Sequence, residues 1–257
     1  MGKILFWNVA GAGTGKLEEL NPTLTRYASA AKPDCVVVCE MKKLKKGDKT
    51  LLEFVNYKYV KPKRPQRTVN QNIKFYSGDD DKRLYVYSQN PGALATQIAT
   101  GNTRPVIHLC VMNTNFFLMH APSVPKISKP QAEQMMTAYD LALDLAKNGD
   151  IAGAPVAIFG DLNVNLLDKE RVDSLAKYLS GHALAKWVPA RTGAQTHKGG
   201  SELDWALCDP AFKCKVTAID PTKMKQSKKS SDEDMEWDGS DQPITKYSDH
   251  LPVLLEW

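Results

Sequence analysis

The sequence predicts an α/β fold in which β-sheets are stacked face to face with helices outside them. Three observations lead there. Several strand candidates are continuous apolar runs, residues 35–39 (Cys-Val-Val-Val-Cys) above all, as expected where a strand is buried on both faces. Strand candidates outnumber helices, and only some alternate with them, which argues against one doubly wound sheet. No stretch reads as an interdomain linker, so residues 1–257 read as one domain.

The elements follow in order. Residues 3–9 form a short apolar strand. Residues 23–31 carry a helical pattern that Lys32-Pro33-Asp34 ends. Residues 83–88, 94–99, 106–112 and 116–119 are strands separated by Gly, Asn and Pro signals. Residues 130–148 are the longest helix, with Ala132, Met135, Met136, Tyr139, Leu143 and Ala146 at helical spacing. Residues 156–159 form another buried strand and 168–179 a helix. Strands at 183–188, 203–208, 215–219 and 251–256 complete the second half. Residues 223–242 are polar, first basic and then acidic, and read as a long mobile surface loop.

Hydrophobic residues make up 42% of the chain, enough for a sizeable core and too many for wholesale disorder. No apolar run approaches the roughly 20 residues that cross a bilayer. The first eight residues lack the long apolar region and cleavage site of a signal peptide. The expectation is a cytoplasmic monomer, although signal-independent export is compatible with the sequence. Five cysteines, Cys35, Cys39, Cys110, Cys208 and Cys214, include no CxxC pair. They read as buried thiols in a reducing compartment, in preference to a disulfide framework or a zinc site. The net charge of +5 is clustered in residues 42–49, 58–67 and 223–229. Such clusters suit a polyanion such as nucleic acid, the alternative being a solvated lysine-rich surface.

Gly11-Ala-Gly-Thr-Gly-Lys16 invites a phosphate-loop reading and fails it. A Walker loop needs Gly where Ala10 stands and Ser or Thr where Leu17 stands, and Lys16 occupies the last position of GxGxxG. The informative polar residues lie where apolar strands end. Asn8 ends the first strand and Glu40 the second. His120 follows residues 116–119, and Asp161 and Asn163 follow 156–159. Asp249 and His250 precede the last strand, and Asp204 lies in Glu-Leu-Asp-Trp. Strand ends are where a rigid scaffold presents side chains to a ligand. Singly, each has a plain structural reading as an Asx-turn or a hydrogen-bonded core residue. Together they offer carboxylates, amides and imidazoles without cysteine. That palette suits a hard divalent cation, Mg²⁺ or Mn²⁺, with general acid–base catalysis.

The ordered series WNVAG, VVVCEM, MHAPS, FGDLN, SELDW and SDHLPV resembles the endonuclease/exonuclease/phosphatase superfamily from residue 5 to 256. Within it, His120 in HAP, Tyr139-Asp140, Trp187, Thr196-His197 and GGSELDWAL are most similar to the deoxyribonuclease I and cytolethal-distending-toxin B-subunit group. The resemblance implies a four-layer αββα sandwich with the site at the top of two mostly antiparallel sheets. It implies Glu40 as the main metal ligand, helped by Asn8 and Asp249, with Mg²⁺ the expected ion and Mn²⁺ or Ca²⁺ as alternatives. Asp161 would bind metal or hold the attacking water, and Asn163 would orient the phosphate or that water. His250, oriented by Asp204, would be general base or phosphate ligand. His120 would protonate the leaving oxygen or bind phosphate. Arg104 matches the phosphate-binding arginine of the group, and Asp81 is the nearest carboxylate to support His120. The chain departs from the abasic-site, inositol-phosphatase and sphingomyelinase branches: it lacks the first's final-strand context, the second's Cys-Asp-Arg core and the third's long apolar hairpin.

The leading functional expectation is a metal-dependent endonuclease acting on DNA. The alternative is a phosphatase of phosphoinositides or other phosphomonoesters using the same residues. A third possibility is a binding module that keeps the fold without catalysis; the intact set of site positions argues against it.

Overall fold

Apolar runs become strands here because both of their faces are covered. The computed structural model describes residues 1–10, 25, 27–41, 56–63, 83–98, 104, 106–124, 127–219, 235–237, 243–245 and 248–257. In β1 (Lys3–Asn8), Ile4 and Phe6 join one buried cluster with Val37, Phe116, Phe159 and Leu255. Leu5 and Trp7, pointing the other way, join a second with Tyr27, Ala28, Val36 and Tyr87. A third cluster packs Phe117, Met119, Ile158 and Trp205 against Ala132, Met135, Ala138 and Leu175. Strand side chains alternate with period two. Three apolar interfaces therefore separate four layers: helix, sheet, sheet and helices.

The first sheet runs β11 (Lys215–Ala218), β14 (Val253–Glu256), β1, β2 (Cys35–Met41), β4 (Arg83–Ser88), β3 (Lys58–Tyr59). The second runs β5 (Leu94–Ile98), β6 (Val106–Val111), β7 (Thr114–His120), β8 (Ala157–Asp161), β10 (Asp204–Cys208), β9 (Val188–Ala190). Only β1–β2 and β7–β8 pair in parallel among the described strands. Helical residues 27–31 (α1) cover the first sheet through Tyr27 and Ala28. Helices α2 (Lys129–Lys147) and α3 (Lys169–Leu179) cover the second. Asp168 caps α3 by accepting from the backbone amides of Glu170 and Arg171 at 3.0 and 3.3 Å. The sandwich expected from the sequence is the one observed. No helix among the described residues is long and apolar enough to cross a membrane.

Two expectations need correction. Residues 183–188 are not one strand. Ala183–Lys186 form a 3-10 turn, capped by His182 Nδ1 accepting from the amide of Leu184, and only Val188–Ala190 pair as β9. Ala-Leu-Ala-Lys favours helix over strand, and that local preference outweighed the apolar run. Residues 223–242 are not loop throughout. β12 (Met235–Trp237) pairs antiparallel with β13 (Pro243–Thr245), Glu236 opposite Ile244. The glycine loop at 11–16 and the lysine cluster at 42–49 lie outside the described residues; Lys58, Lys61 and Lys63 of the second basic cluster lie within them.

His108, on β6, is buried against the ring of Phe117, with its Nε2 donating to the carbonyl of Gly153 at 3.0 Å. Burial pushes this imidazole down to about 4, against the opposing pull of that hydrogen bond. The unfolded chain takes up the proton near 6.5 while the folded chain does not, so stability falls as pH drops from about 6.5 to about 4. His108→Gln keeps a donor for Gly153 and removes the titration. Equilibrium denaturation is expected to show the native chain losing, over that window, on the order of 3 kcal/mol more than the variant.

Candidate active site

One row of residues crosses the second sheet at its polar end. His120 closes β7 and stands in parallel register with Asp161, which closes β8. Asp161 stands in antiparallel register with Asp204, which opens β10. The intervening Gly160 is required: at φ +143°, a Cβ there would meet the carbonyl oxygen of Met119 at 2.1 Å. Phe-Gly-Asp therefore reads as a strand drawn tight against β7, with its final carboxylate buried and aimed at Asn8 of the first sheet. The first sheet contributes Asn8 from the end of β1 and Glu40 from β2. Glu40 has φ +57° where the β2–β4 pairing shifts register between Val38 and Met41. A bulge with a left-handed non-glycine residue costs about 1–2 kcal/mol and re-aims the side chain. Asn163, at φ +51°, turns the chain back after Asp161, a conformation asparagine tolerates well.

Hydrogen bonds join the two sheets at this row. Asn8 Nδ2 donates to Asp161 Oδ2 at 2.8 Å. The Nε2 atoms of His120 and His250 lie 3.6 and 3.9 Å from the same oxygen. Asp204 Oδ2 holds His250 Nδ1 at 2.9 Å. The carbonyl of His250 accepts from Trp7 Nε1 at 2.9 Å, and its amide donates to Ser248 Oγ at 3.0 Å. On the other flank, Glu40 Oε1 lies 3.1 Å from His120 Nε2 and 3.2 Å from Arg104 Nη1. Arg104 Nη1 is 2.6 Å from His120 Nδ1 and also contacts Nε2. Asn163 donates its amide to Asp161 Oδ1 at 3.1 Å and its Nδ2 to the carbonyl of Ala121 at 2.8 Å. Asp249, half-exposed, meets His197 Nε2 at 3.3 Å.

A family model described as Endonuclease/Exonuclease/phosphatase family matches residues 5–250. The chain belongs to that family. No curated protein matches the chain by sequence. Among solved structures, the cytolethal distending toxin of Actinobacillus actinomycetemcomitans is similar at 14% identity, with a TM-score of 0.64, 98% of this chain and 97% of that one covered. D. rerio TDP2 complexed with a single-strand DNA product matches at 15% identity and a TM-score of 0.57, with 100% and 99% covered. A mannosyl-6-phosphatase of Bacteroides thetaiotaomicron VPI-5482 matches at 14% identity and a TM-score of 0.59, also with 100% and 99% covered. At these identities the structural likenesses establish the fold.

In this Endonuclease/Exonuclease/phosphatase family chain the site is rich in acid. Burial, with the nearby charge of Asp204, pushes the Asp161 carboxyl up to about 7, although His250 and the Asn8 hydrogen bond pull it down. Burial alone would lower the imidazole of His250. Asp204, Asp161 and Asp249 outweigh it and raise His250 to about 10. The His197 hydrogen bond holds Asp249 below the usual carboxylate range, against its partial burial. Asp204 Oδ1 is buried without a hydrogen-bond partner. These are the marks of a site that a divalent cation would suit. A buried Asp/His cluster of Asp161, Asp204 and His250 has one donor atom from each residue within 4.8 Å of the others, and His197, Asp249 and His250 form a second such cluster. Glu40 stands apart from both, against Arg104 and His120.

The structure brings together Asn8, Glu40, Arg104, His120, Asp161, Asn163, Asp204, Asp249 and His250; Asp81 lies outside the described residues. It adds His197, whose ring meets that of His250 edge-on with centroids 4.8 Å apart. It also adds a buried support. Gln134 Nε2 donates to the carbonyl of Arg104 at 3.1 Å, and Arg171 Nη2 to that of Asn163 at 2.8 Å. Gln131 Nε2 donates to the carbonyl of Pro122 at 2.7 Å. The sequence carried a signal for these: Gln131 and Gln134 share the buried face of α2 with Met135 and Ala138, where an apolar residue is the norm.

Asp204→Asn removes the anion closest to His250 while keeping its shape. Because burial is the largest influence on this imidazole, the histidine should then titrate well below about 10, followed by NMR of the ring. An unchanged titration would show that Asp204 does not hold the charge on His250.

Proposed function

We propose that the chain is a divalent-metal-dependent phosphodiesterase that cleaves DNA. The observation that carries this reading is the convergence of two imidazoles, one at the end of β7 and one just before β14, on a single carboxylate oxygen of Asp161. Arg104 stands beside one of them. That arrangement sets an imidazole on each side of a buried carboxylate, the combination that general acid–base catalysis and phosphate binding use. Family membership supports phosphoester chemistry. A relative of the same fold, D. rerio TDP2, has been solved with a single-strand DNA product.

The contacts support the following roles. Arg104 and the His250 imidazolium bind the phosphate, and Asp204 keeps His250 charged and oriented. Asp161, pushed up to about 7, orients the attacking water and takes up its proton near neutral pH. Asn163, fixed by its bond to Ala121, orients the phosphate. His120, between Glu40 and Arg104, delivers a proton to the leaving oxygen. For the metal ion we propose Glu40, Asn8 and Asp249, the set that the family motifs imply, because a His250 kept charged has no lone pair to give and is no ligand in either Asp/His cluster. Mg²⁺ is preferred, with Mn²⁺ or Ca²⁺ as substitutes. When bound, such an ion neutralises phosphate charge and makes water a better nucleophile.

Plasmid nicking in Mg²⁺ tests the reading. Chelation should abolish it, and His120→Ala or His250→Ala should each slow it by about 10²–10⁴-fold. Intact plasmid together with phosphate release from inositides or sugar phosphates would replace the nuclease reading with the phosphatase one. DNA binding without cleavage under any divalent metal would reduce the chain to a binding module.

A further inference from the structure

At the end of β10 farthest from Asp204, Cys208 Sγ lies 3.0 Å from Cys214 Sγ. β10 belongs to the second sheet, and β11, which follows Cys214 directly, belongs to the first. The pair therefore bridges the two sheets, with both sulfurs against the core between them. The connecting turn is held in place. Asp209 accepts from the amides of Ala211 and Phe212 at 2.8 and 2.9 Å, and the ring of Phe212 meets that of Phe116 edge-on. Cys208 is 1% exposed, whereas Cys214 is only partly buried.

We propose that Cys208 and Cys214 form a redox modification site, a dithiol that a small disulfide oxidant of the glutathione class converts into an inter-sheet disulfide. Side-chain rotation of about 1 Å closes their contact to bonding distance. The two thiols divide the work. The hydrogen bond from Cys208 lowers Cys214 below the ordinary thiol value, while that same bond and burial raise Cys208. Cys214, the more accessible and the more readily ionised, attacks one sulfur of oxidised glutathione, and one glutathione leaves as thiolate. Cys208 then attacks the Cys214 sulfur, gives up its proton to solvent and expels the second glutathione. The protein loses two hydrogens, and the oxidant becomes two thiols. The remaining thiols are poor competitors: burial raises Cys35 to about 12, Cys39 well above the ordinary value, and Cys110 in the same direction.

The test uses the full chain, held in buffers of oxidised and reduced glutathione and then blocked with excess iodoacetamide in denaturant, so that the buried thiols also react. Trypsin cuts after Lys213 and Lys215, so the disulfide would join peptide 199–213 to dipeptide 214–215. The linked pair should appear under oxidation and vanish under reduction, with Cys35, Cys39 and Cys110 alkylated throughout. Oxidation should also raise Tm by on the order of 5 °C, a gain absent from Cys214→Ser. In Cys208→Ala, glutathione should stay on Cys214. Five alkylated cysteines after oxidation would overturn the proposal, as would a glutathione adduct that persists on Cys214 of the unsubstituted chain. A Tm gain that survives Cys214→Ser would place the stabilisation elsewhere and overturn it equally.

Discussion

Both sheets are covered on both faces, and everything else follows from that constraint. A strand buried on two sides has no place for a charged side chain along its length, because a buried charge without a partner is very costly. Polar chemistry is pushed to the ends of the strands. There Asn8, Glu40, His120, Asp161 and Asp204 meet, supplied by both sheets and tied together by the Asn8–Asp161 hydrogen bond. The core between the sheets and the site above it are thus two outcomes of one arrangement.

The acid in the site is stable only because it is shared. Asp161 at about 7 and His250 at about 10 are consequences of two carboxylates and an imidazole occupying one dry volume. Neighbouring backbone carbonyls are fixed from behind by Gln131, Gln134 and Arg171, which donate to residues at or beside the site. Asn8, Glu40, His120, Asp161 and Asp204 consequently sit on strands, with helices α2 and α3 supplying the support that keeps neighbouring loops in place.

Much of this was legible in the sequence because it depends on local pattern. The both-face burial of residues 35–39 was visible as an unbroken β-branched run, and β4, β6 and β14 are short apolar segments between turn residues. The strand-end polar residues were legible for the same reason. The 3-10 turn at Ala183–Lys186 was not, since four helix-favouring residues beside an apolar stretch satisfy either pattern until the cap from His182 decides. His197 was not singled out for the site because it ends no apolar strand, and only its meeting with Asp249 and His250 places it there. The meeting of Cys208 and Cys214 was hidden differently. Their spacing fits no familiar motif, and only the crossing from one sheet to the other brings the sulfurs together.

The row His120–Asp161–Asp204 is a matter of register, and register is discrete. Adding one residue to β8 would turn Asp161 toward the opposite face; adding two would restore its facing but carry it about 6.6 Å along the strand, out of reach of both imidazoles. Neither change can be absorbed gradually. An extra residue can be taken up in a connection, or in a bulge like the one at Glu40 in β2, but not in the three strands behind the row without breaking it.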